Sequence, residues 1–189
     1  NAPAFSDIER VEFPSYKMNS DTAADSFLIE KFCKELGADV FTSTYYTTPV
    51  TVPSVLMVYD MIPEILGLHS KPWQEKQVAI NFAVNYACIS QTTKSDLERF
   101  YSGTSQRAIV TYCGIDRTVF YQREQSDVDA LKASIGIGKP YYLLVGAREQ
   151  ALNYKNGILA FKAAQQLRDE DVELICVGGE ADIPPDFLA

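Results

Sequence analysis

The hydrophobic residues of this chain follow two patterns that alternate along its length. Short apolar runs rich in β-branched and aromatic residues predict strands, and apolar residues spaced three or four positions apart predict the helices between them. The predicted strands are residues 39–44, 54–59, 88–90, 108–112, 142–145 and 172–177. The predicted helices run from Ser20 or Asp21 to Leu36, from about Pro72 to Tyr86, onward from Thr92 or Thr93, from Ser126 to Gly136, and onward from about Asn156. This alternation predicts an α/β fold of Rossmann-like parallel sheets with helices on both faces.

The regular pattern is interrupted in the middle of the chain. The segment CGIDRTVFYQREQ, which begins at Cys113, has no consistent period and is typical of a connection. We therefore expect two lobes, residues 1–112 and 127–189, joined by residues 113–126.

Composition and charge limit the classes of function. The chain has 189 residues, of which 47% are hydrophobic and 22% charged, and its formal net charge is −8. An acidic chain does not bind polyanions through a general field, so nucleic acid is not an expected partner. Four cysteines without a CxxC pair indicate reduced core thiols in a cytoplasmic protein. One histidine, His69, and scattered cysteines cannot build a zinc site without several carboxylates, so we expect no metal site, and we place His69 in a surface loop. We also expect no cofactor.

The stretch from Tyr141 to Asn156 has the pattern of an anion-binding loop. A predicted strand, buried on both faces, ends at Gly146, and Arg148 and Lys155 precede a predicted helix. The first N–H groups of a helix and its dipole attract anions, and an arginine adds a planar set of donors. The same two cations could also be solvated loop charges.

Acidic residues follow two other predicted elements. Asp60 ends the strand 54–59, at the edge where ligands bind in open α/β sheets, although it could equally cap the following turn. Glu64, a little further on, is expected to be solvated. Asp127 and Asp129 form a D-x-D pair, but two acids in the first turn of a helix favour capping over metal binding.

Three stretches together resemble the GT-B fold glycosyltransferases of retaining family 4. They are VPSVLMVYDMIPE (52–64), CISQTTKSDLERFY (88–101) with IVTYCGIDRTVF (109–120), and YYLLVGAREQALNYKNGILAFKAAQQL (141–167). The first lobe is then the C-terminal part of the acceptor lobe, and the second is the N-terminal part of the donor lobe. The chain departs from the family pattern at Tyr59, where histidine is usual, and at Cys113, where asparagine is usual.

The resemblance implies a reaction and the residues that serve it. A hexose would pass from a nucleotide-sugar donor to a polysaccharide or lipid-linked glycan acceptor, in the cytoplasm and with peripheral contact of the full-length protein at the inner face of the membrane. Arg148 and Lys155 would neutralise the donor diphosphate, and Gly146 would let the backbone approach it. Asp60, with Tyr59 beside it, would serve the catalytic centre.

The resemblance also implies that the chain is incomplete at both ends. The glycine-rich loop of the acceptor lobe and the E-x7-E segment of the donor lobe are not present, so we expect no transfer by this chain alone. Two other hypotheses stay open. One is a non-catalytic Rossmann-like module that binds a nucleotide or a sugar, and the other is an interaction protein that has lost its chemistry.

We predict that the isolated chain self-associates through exposed sheet edges. Unpaired edge N–H and C=O groups, and the apolar surface beside them, favour pairing with another copy. Light scattering at increasing protein concentration should show a mass above that of the monomer. A single monomeric species at every concentration would contradict this expectation.

Overall fold

The computed structural model describes residues 23–146 and 155–179. The chain divides into two compact units, Asn1–Ile115 and Asp116–Ala189. The division lies within the segment 113–126 that the sequence predicts to be a connection.

The first unit is a parallel sheet with helices between its strands. Its elements in chain order are α1 (Ala23–Glu35), β1 (Phe41–Ser43), β2 (Ser54–Val58), α2 (Ile62–Ile65), α3 (Lys71–Phe82), β3 (Asn85–Cys88), α4 (Gln91–Phe100), a short 3-10 helix (Ser105–Arg107) and β4 (Ala108–Val110). The strands lie in the order β1-β2-β3-β4, and each pair is parallel, with Leu56 opposite Tyr86 and Tyr86 opposite Ala108.

The second unit repeats this arrangement on a smaller scale. It contains α5 (Gln125–Ser134), β5 (Tyr141–Val145), α6 (Gly157–Gln166) and β6 (Glu173–Val177), and β5 and β6 form a parallel pair. Parallel strands joined through helices in both units confirm the predicted Rossmann-like α/β class.

The core of the first unit lies between its sheet and the helices α3 and α4. It contains Leu56, Val58, Met61, Ala79, Ile80, Ala83, Tyr86, Cys88, Leu97 and Ala108. Tyr86 is buried there, and its hydroxyl donates a 2.8 Å hydrogen bond to the carbonyl oxygen of Ile80. Burial raises the pKa of Tyr86, so this phenol remains a donor at neutral pH.

A buried carboxylate joins α1 to the chain that leads into β2. The Oε2 atom of Glu30 accepts hydrogen bonds from the backbone N–H groups of Val50 at 3.0 Å and Thr51 at 2.9 Å, and its Oε1 atom accepts one from the Thr51 hydroxyl. Lys34 Nζ lies 2.9 Å from the same carboxylate. The Thr51 hydroxyl, the backbone N–H of Thr51 and Lys34 together lower the pKa of Glu30. The carboxylate therefore stays ionised and holds the loop against α1.

The third helix ends earlier than its apolar period predicts. It stops at Phe82, and Tyr86 lies on β3 rather than on a helical face. Ala83 turns to an extended conformation, and the N–H of Val84 donates to the carbonyl oxygen of Ser54 at 2.9 Å. Pairing with β2 therefore outweighs continuation of the helix.

The caps of two helices also differ from the prediction. Ser90, not Thr92 or Thr93, caps α4, because its extended backbone lets its hydroxyl accept from the N–H of Thr93 at 3.0 Å. In the second unit α5 begins at Gln125, so that Ser126 lies inside the first turn.

The strand β5 is more exposed than the sequence predicts. The strand 142–145 was expected to be buried on both faces, yet Leu143 is 55% exposed, and Leu131 and Ile135 of α5 are exposed as well. These side chains line an open groove of about 590 Å³ between α5 and the sheet. Within the described residues, this sheet consists of β5 and β6 alone, so it offers little surface for the apolar side chains of α5 to pack against.

None of the helices in residues 23–146 and 155–179 has the length and apolar character needed to cross a bilayer.

We predict that Leu97→Ala lowers the free energy of unfolding by about 2–5 kcal/mol, because Leu97 is fully buried between α4 and the sheet. The matched control is Leu36→Ala, at a leucine that is 52% exposed, where the loss should stay near 0.5 kcal/mol or less. Urea unfolding can be followed by the fluorescence of Trp73, the single tryptophan, which belongs to the same unit. Equal losses in the two variants would contradict the packing described here.

Candidate functional site

Two polar residues follow β2 at its carboxyl end. The Oδ1 atom of Asp60 accepts a 3.0 Å hydrogen bond from the N–H of Ile62, so the carboxylate caps the turn into α2. The side chain is nevertheless 43% exposed, which leaves part of the carboxylate accessible. The neighbouring Tyr59 is also exposed, and its carbonyl oxygen accepts a long hydrogen bond from the hydroxyl of Thr93.

A buried lysine fixes this end of the strand. Lys76 of α3 is 2% exposed, and its ammonium donates to the carbonyl oxygen of Asp60 at 2.8 Å and to Oε2 of Glu64 at 2.7 Å. The same nitrogen lies 3.8 Å from Oδ1 of Asp60. An ammonium has three protons and tolerates burial only where acceptors surround it. Lys76 therefore ties the loop after β2 to α2 and to α3.

Glu64 and two tyrosines complete the buried group. The side chain of Glu64 is only 13% exposed, which corrects the expectation that it is solvated. The hydroxyl of Tyr101 donates to Oε1 of Glu64 at 3.4 Å, and burial together with the charge of Glu64 raises the pKa of Tyr101 to about 12. Burial, followed by the charge of Asp60, raises the pKa of Tyr46. Both phenols are therefore protonated at neutral pH and can act as donors.

Sequence reasoning missed Lys76 although a signal for it was present. Lys76 stands three positions before Ala79 and four before Ile80, on the same helical face as these apolar residues. A lysine on the inward face of an amphipathic helix requires a buried acceptor, and Glu64 is that acceptor.

In the second unit, a glycine and a lysine meet where β5 ends. Gly146 has a φ of +104°, and a Cβ atom at this position would lie 3.5 Å from Nζ of Lys155. Lys155 immediately precedes Asn156, the N-terminal flanking residue of α6. Gly178 follows β6, and a Cβ atom there would lie 3.8 Å from the backbone nitrogen of Gly146. Arg148, the other predicted cation of this loop, lies outside the described residues.

These features together form an arrangement that can hold an anion. The ammonium of Lys155 lies next to the bare backbone of Gly146, and Lys155 is two residues before the first residue of α6, whose first N–H groups are available to an anion as at any helix start. The site is at the carboxyl ends of two parallel strands, where ligands bind in open α/β sheets.

Within the described parts of the chain, no group of three His, Cys, Asp or Glu side chains could hold a metal ion. Asp129 of the D-x-D pair accepts a 2.8 Å hydrogen bond from the side-chain amide of Gln125, one turn earlier in α5. His69 is exposed in the loop before α3.

No protein-family profile and no curated protein matches the chain. Among solved structures it is similar to Anabaena Alr3699/HepE in complex with UDP, with a TM-score of 0.51 and 16% identity, covering 83% of this chain and 52% of that one. It is also similar to Anabaena Alr3699/HepE in complex with UDP and glucose, with a TM-score of 0.50 and 15% identity, covering 86% of this chain and 54% of that one. The chain spans about half the length of these structures, and the likeness supports the Rossmann-like fold.

We predict that Lys76→Met lowers the free energy of unfolding by about 3–5 kcal/mol, because it leaves the Glu64 carboxylate buried without its partner. Adding Glu64→Gln to this variant should recover part of the loss, since the amide carries no charge. The control is Lys31→Met, which removes an exposed ion pair with Glu35 and should cost at most about 1 kcal/mol. Urea unfolding of the four proteins measures these differences. A double variant no more stable than Lys76→Met would show that the two charges are not coupled.

Proposed function

We propose that the chain is a segment of a retaining glycosyltransferase that moves a hexose from a nucleotide sugar to a polysaccharide or lipid-linked glycan. The observation that carries the proposal is the position of Lys155, whose ammonium lies over the backbone of Gly146 beside the start of α6. The likeness in fold to HepE, seen in complex with UDP and with UDP and glucose, supports the choice of ligand.

The loop after β5 would bind the diphosphate of the donor. A diphosphate needs cations and N–H donors close together, and it needs a backbone that it can approach without meeting a side chain. Lys155 supplies the charge, α6 supplies the N–H groups, and Gly146 leaves the approach open. Arg148 lies in the sequence between Gly146 and Lys155, and in this proposal it adds a second cation.

Transfer would depend on positioning and on charge neutralisation. When the bond between the sugar and the diphosphate breaks, negative charge develops on the leaving oxygen, and Lys155 and Arg148 would stabilise that charge. This chemistry requires no metal and no cofactor from the chain.

The first unit would interact with the acceptor. Asp60 presents a partly exposed carboxylate at the carboxyl end of β2. The Lys76 ammonium donates a hydrogen bond to the carbonyl oxygen of Asp60 and so fixes the backbone at this position. An acceptor hydroxyl can donate a hydrogen bond to such a carboxylate. Tyr59 beside it would orient the sugar through its hydroxyl group, which can both donate and accept a hydrogen bond.

We predict that Lys155→Ala weakens the binding of UDP by about ten- to hundredfold. The loss of one hydrogen bond to a charged group, about 1.5–3 kcal/mol, corresponds to a change of this size. Isothermal titration of UDP and of GDP measures it, and Arg148→Ala should have an effect in the same direction. The matched control is Lys162→Ala, at an exposed lysine of the same helix α6, which should leave the affinity unchanged.

Two results would contradict the proposed site. Unchanged affinity in Lys155→Ala and Arg148→Ala would remove both cations from it. An equal loss in Lys162→Ala would indicate a general effect of charge instead. UDP binding without transfer in the full-length protein would favour the non-catalytic binding module.

A further inference from the structure

A small pocket lies beside α2 and α3 in the first unit, and neither Asp60 nor Lys155 is among its lining residues. Its volume is about 110 Å³, and it opens between α2, the loop that follows α2, and the first turns of α3. The lining residues that matter for its chemistry are Glu64, Trp73, Gln74, Gln77 and Tyr101.

The walls of the pocket combine an aromatic surface with amide groups. Trp73 is half-buried and lines the pocket, and Tyr101 forms part of the wall as well. Gln74 and Gln77 of α3 are exposed, and each side-chain amide both donates and accepts hydrogen bonds. Such a surface suits a ligand that has an apolar face and a rim of hydroxyl groups.

Glu64 adds a charged acceptor that is held in place. Lys76 is 2.7 Å from its Oε2 atom, and Lys76 itself is 2% exposed, so the ammonium lies behind the carboxylate. The hydrogen bond from Tyr101 to Oε1 is long, at 3.4 Å. A carboxylate has about four lone-pair positions, so Glu64 retains the capacity to accept from a ligand hydroxyl. A buried ion pair of this kind adds little net stability, whereas it does fix the position of the carboxylate.

The size and charge of the pocket restrict the ligand. Drug-sized ligands occupy roughly 300–1,000 Å³, and benzene fits an engineered cavity of about 150 Å³. A pocket of about 110 Å³, smaller than that cavity but open to solvent, can take one face or edge of a six-membered ring with the rest of the ring in solvent, and it cannot enclose a nucleotide. No lysine or arginine lines the pocket to hold a phosphate, and the charge of Glu64 is balanced by Lys76 behind it, so the pocket favours a neutral ligand.

We propose that this pocket binds a single neutral pyranose, with its apolar face against Trp73 and its hydroxyl groups bonded to Glu64 and Gln77. The inference stands apart from the proposed function, because neither Asp60 nor Lys155 lines the pocket. Pyranoses occur in glycans and in nucleotide sugars, and a response to a methyl glycoside without a response to UDP-glucose would identify a glycan as the source.

The test uses the fluorescence of Trp73, which is the only tryptophan of the chain and lies in the pocket wall. Methyl glucopyranoside, methyl galactopyranoside, methyl mannopyranoside, UDP-glucose and UDP are titrated separately into the 189-residue protein. At least one methyl glycoside should produce a saturable change in emission, and UDP should produce none. Gln77→Ala should weaken the response by roughly three- to tenfold, as expected for one uncharged hydrogen bond.

The control is Gln106→Ala, at an exposed glutamine of the short 3-10 helix, which should leave the response unchanged. Saturation-transfer NMR on Trp73→Phe provides a second readout, and this variant should lose the contacts to the sugar ring protons. The proposal is wrong if no methyl glycoside saturates, if Gln77→Ala and the native chain respond alike, or if UDP alone reproduces the change.

Discussion

The structure of the first unit depends on the buried ammonium group of Lys76 and on the acceptors that surround it. Lys76 stands on the inward face of α3, so its charge must find acceptors inside the fold. It finds the carbonyl oxygen of Asp60 and the carboxylate of Glu64, on opposite sides of the turn that leaves β2. Because the desolvation of a buried ion pair offsets much of its attraction, the contribution of Lys76 is mainly geometric. It sets the path of the chain between the sheet and α2.

Two surfaces follow from this single contact. Towards the carboxyl edge of the sheet, the fixed carbonyl of Asp60 leaves its side chain partly exposed after it has capped the turn. Towards α3, Glu64 reaches the wall of the small pocket with its second oxygen only weakly engaged by Tyr101. The raised pKa of Tyr101 keeps that phenol protonated, so it cannot add a second negative charge beside Glu64. The contacts of the buried Lys76 therefore determine how the carboxylates of Asp60 and Glu64 are presented on these two surfaces.

The sequence predicted the alternation of strands and helices, because both patterns depend on local spacing. The strand β2 lies within the apolar run that precedes Asp60, and α6 begins directly after Asn156, as their patterns predict. The partnership of Lys76 with Glu64 was not predictable in the same way, since it needs the turn that brings α2 and α3 together. The predicted end of α3 was wrong for a related reason. The hydrogen bond from Val84 to Ser54, which ends the helix, joins residues thirty positions apart. For the loop after Gly146, the sequence predicted two cations, Arg148 and Lys155. Of these two, only Lys155 lies within the described residues.

At the carboxyl edge of the second sheet the cation is the exposed Lys155, in contrast to the buried Lys76 of the first unit. Gly146 and Gly178 end β5 and β6, and both have positive φ values, which side chains other than glycine rarely adopt. An added Cβ at Gly146 would reach only ordinary contact distance from Lys155, so the requirement for glycine there is conformational rather than steric. The two turns bring bare backbone together beside an exposed ammonium and a helix start. In a chain with a net charge of −8, the overall field opposes an anion, so any anion bound at this edge would depend on a local arrangement of this kind.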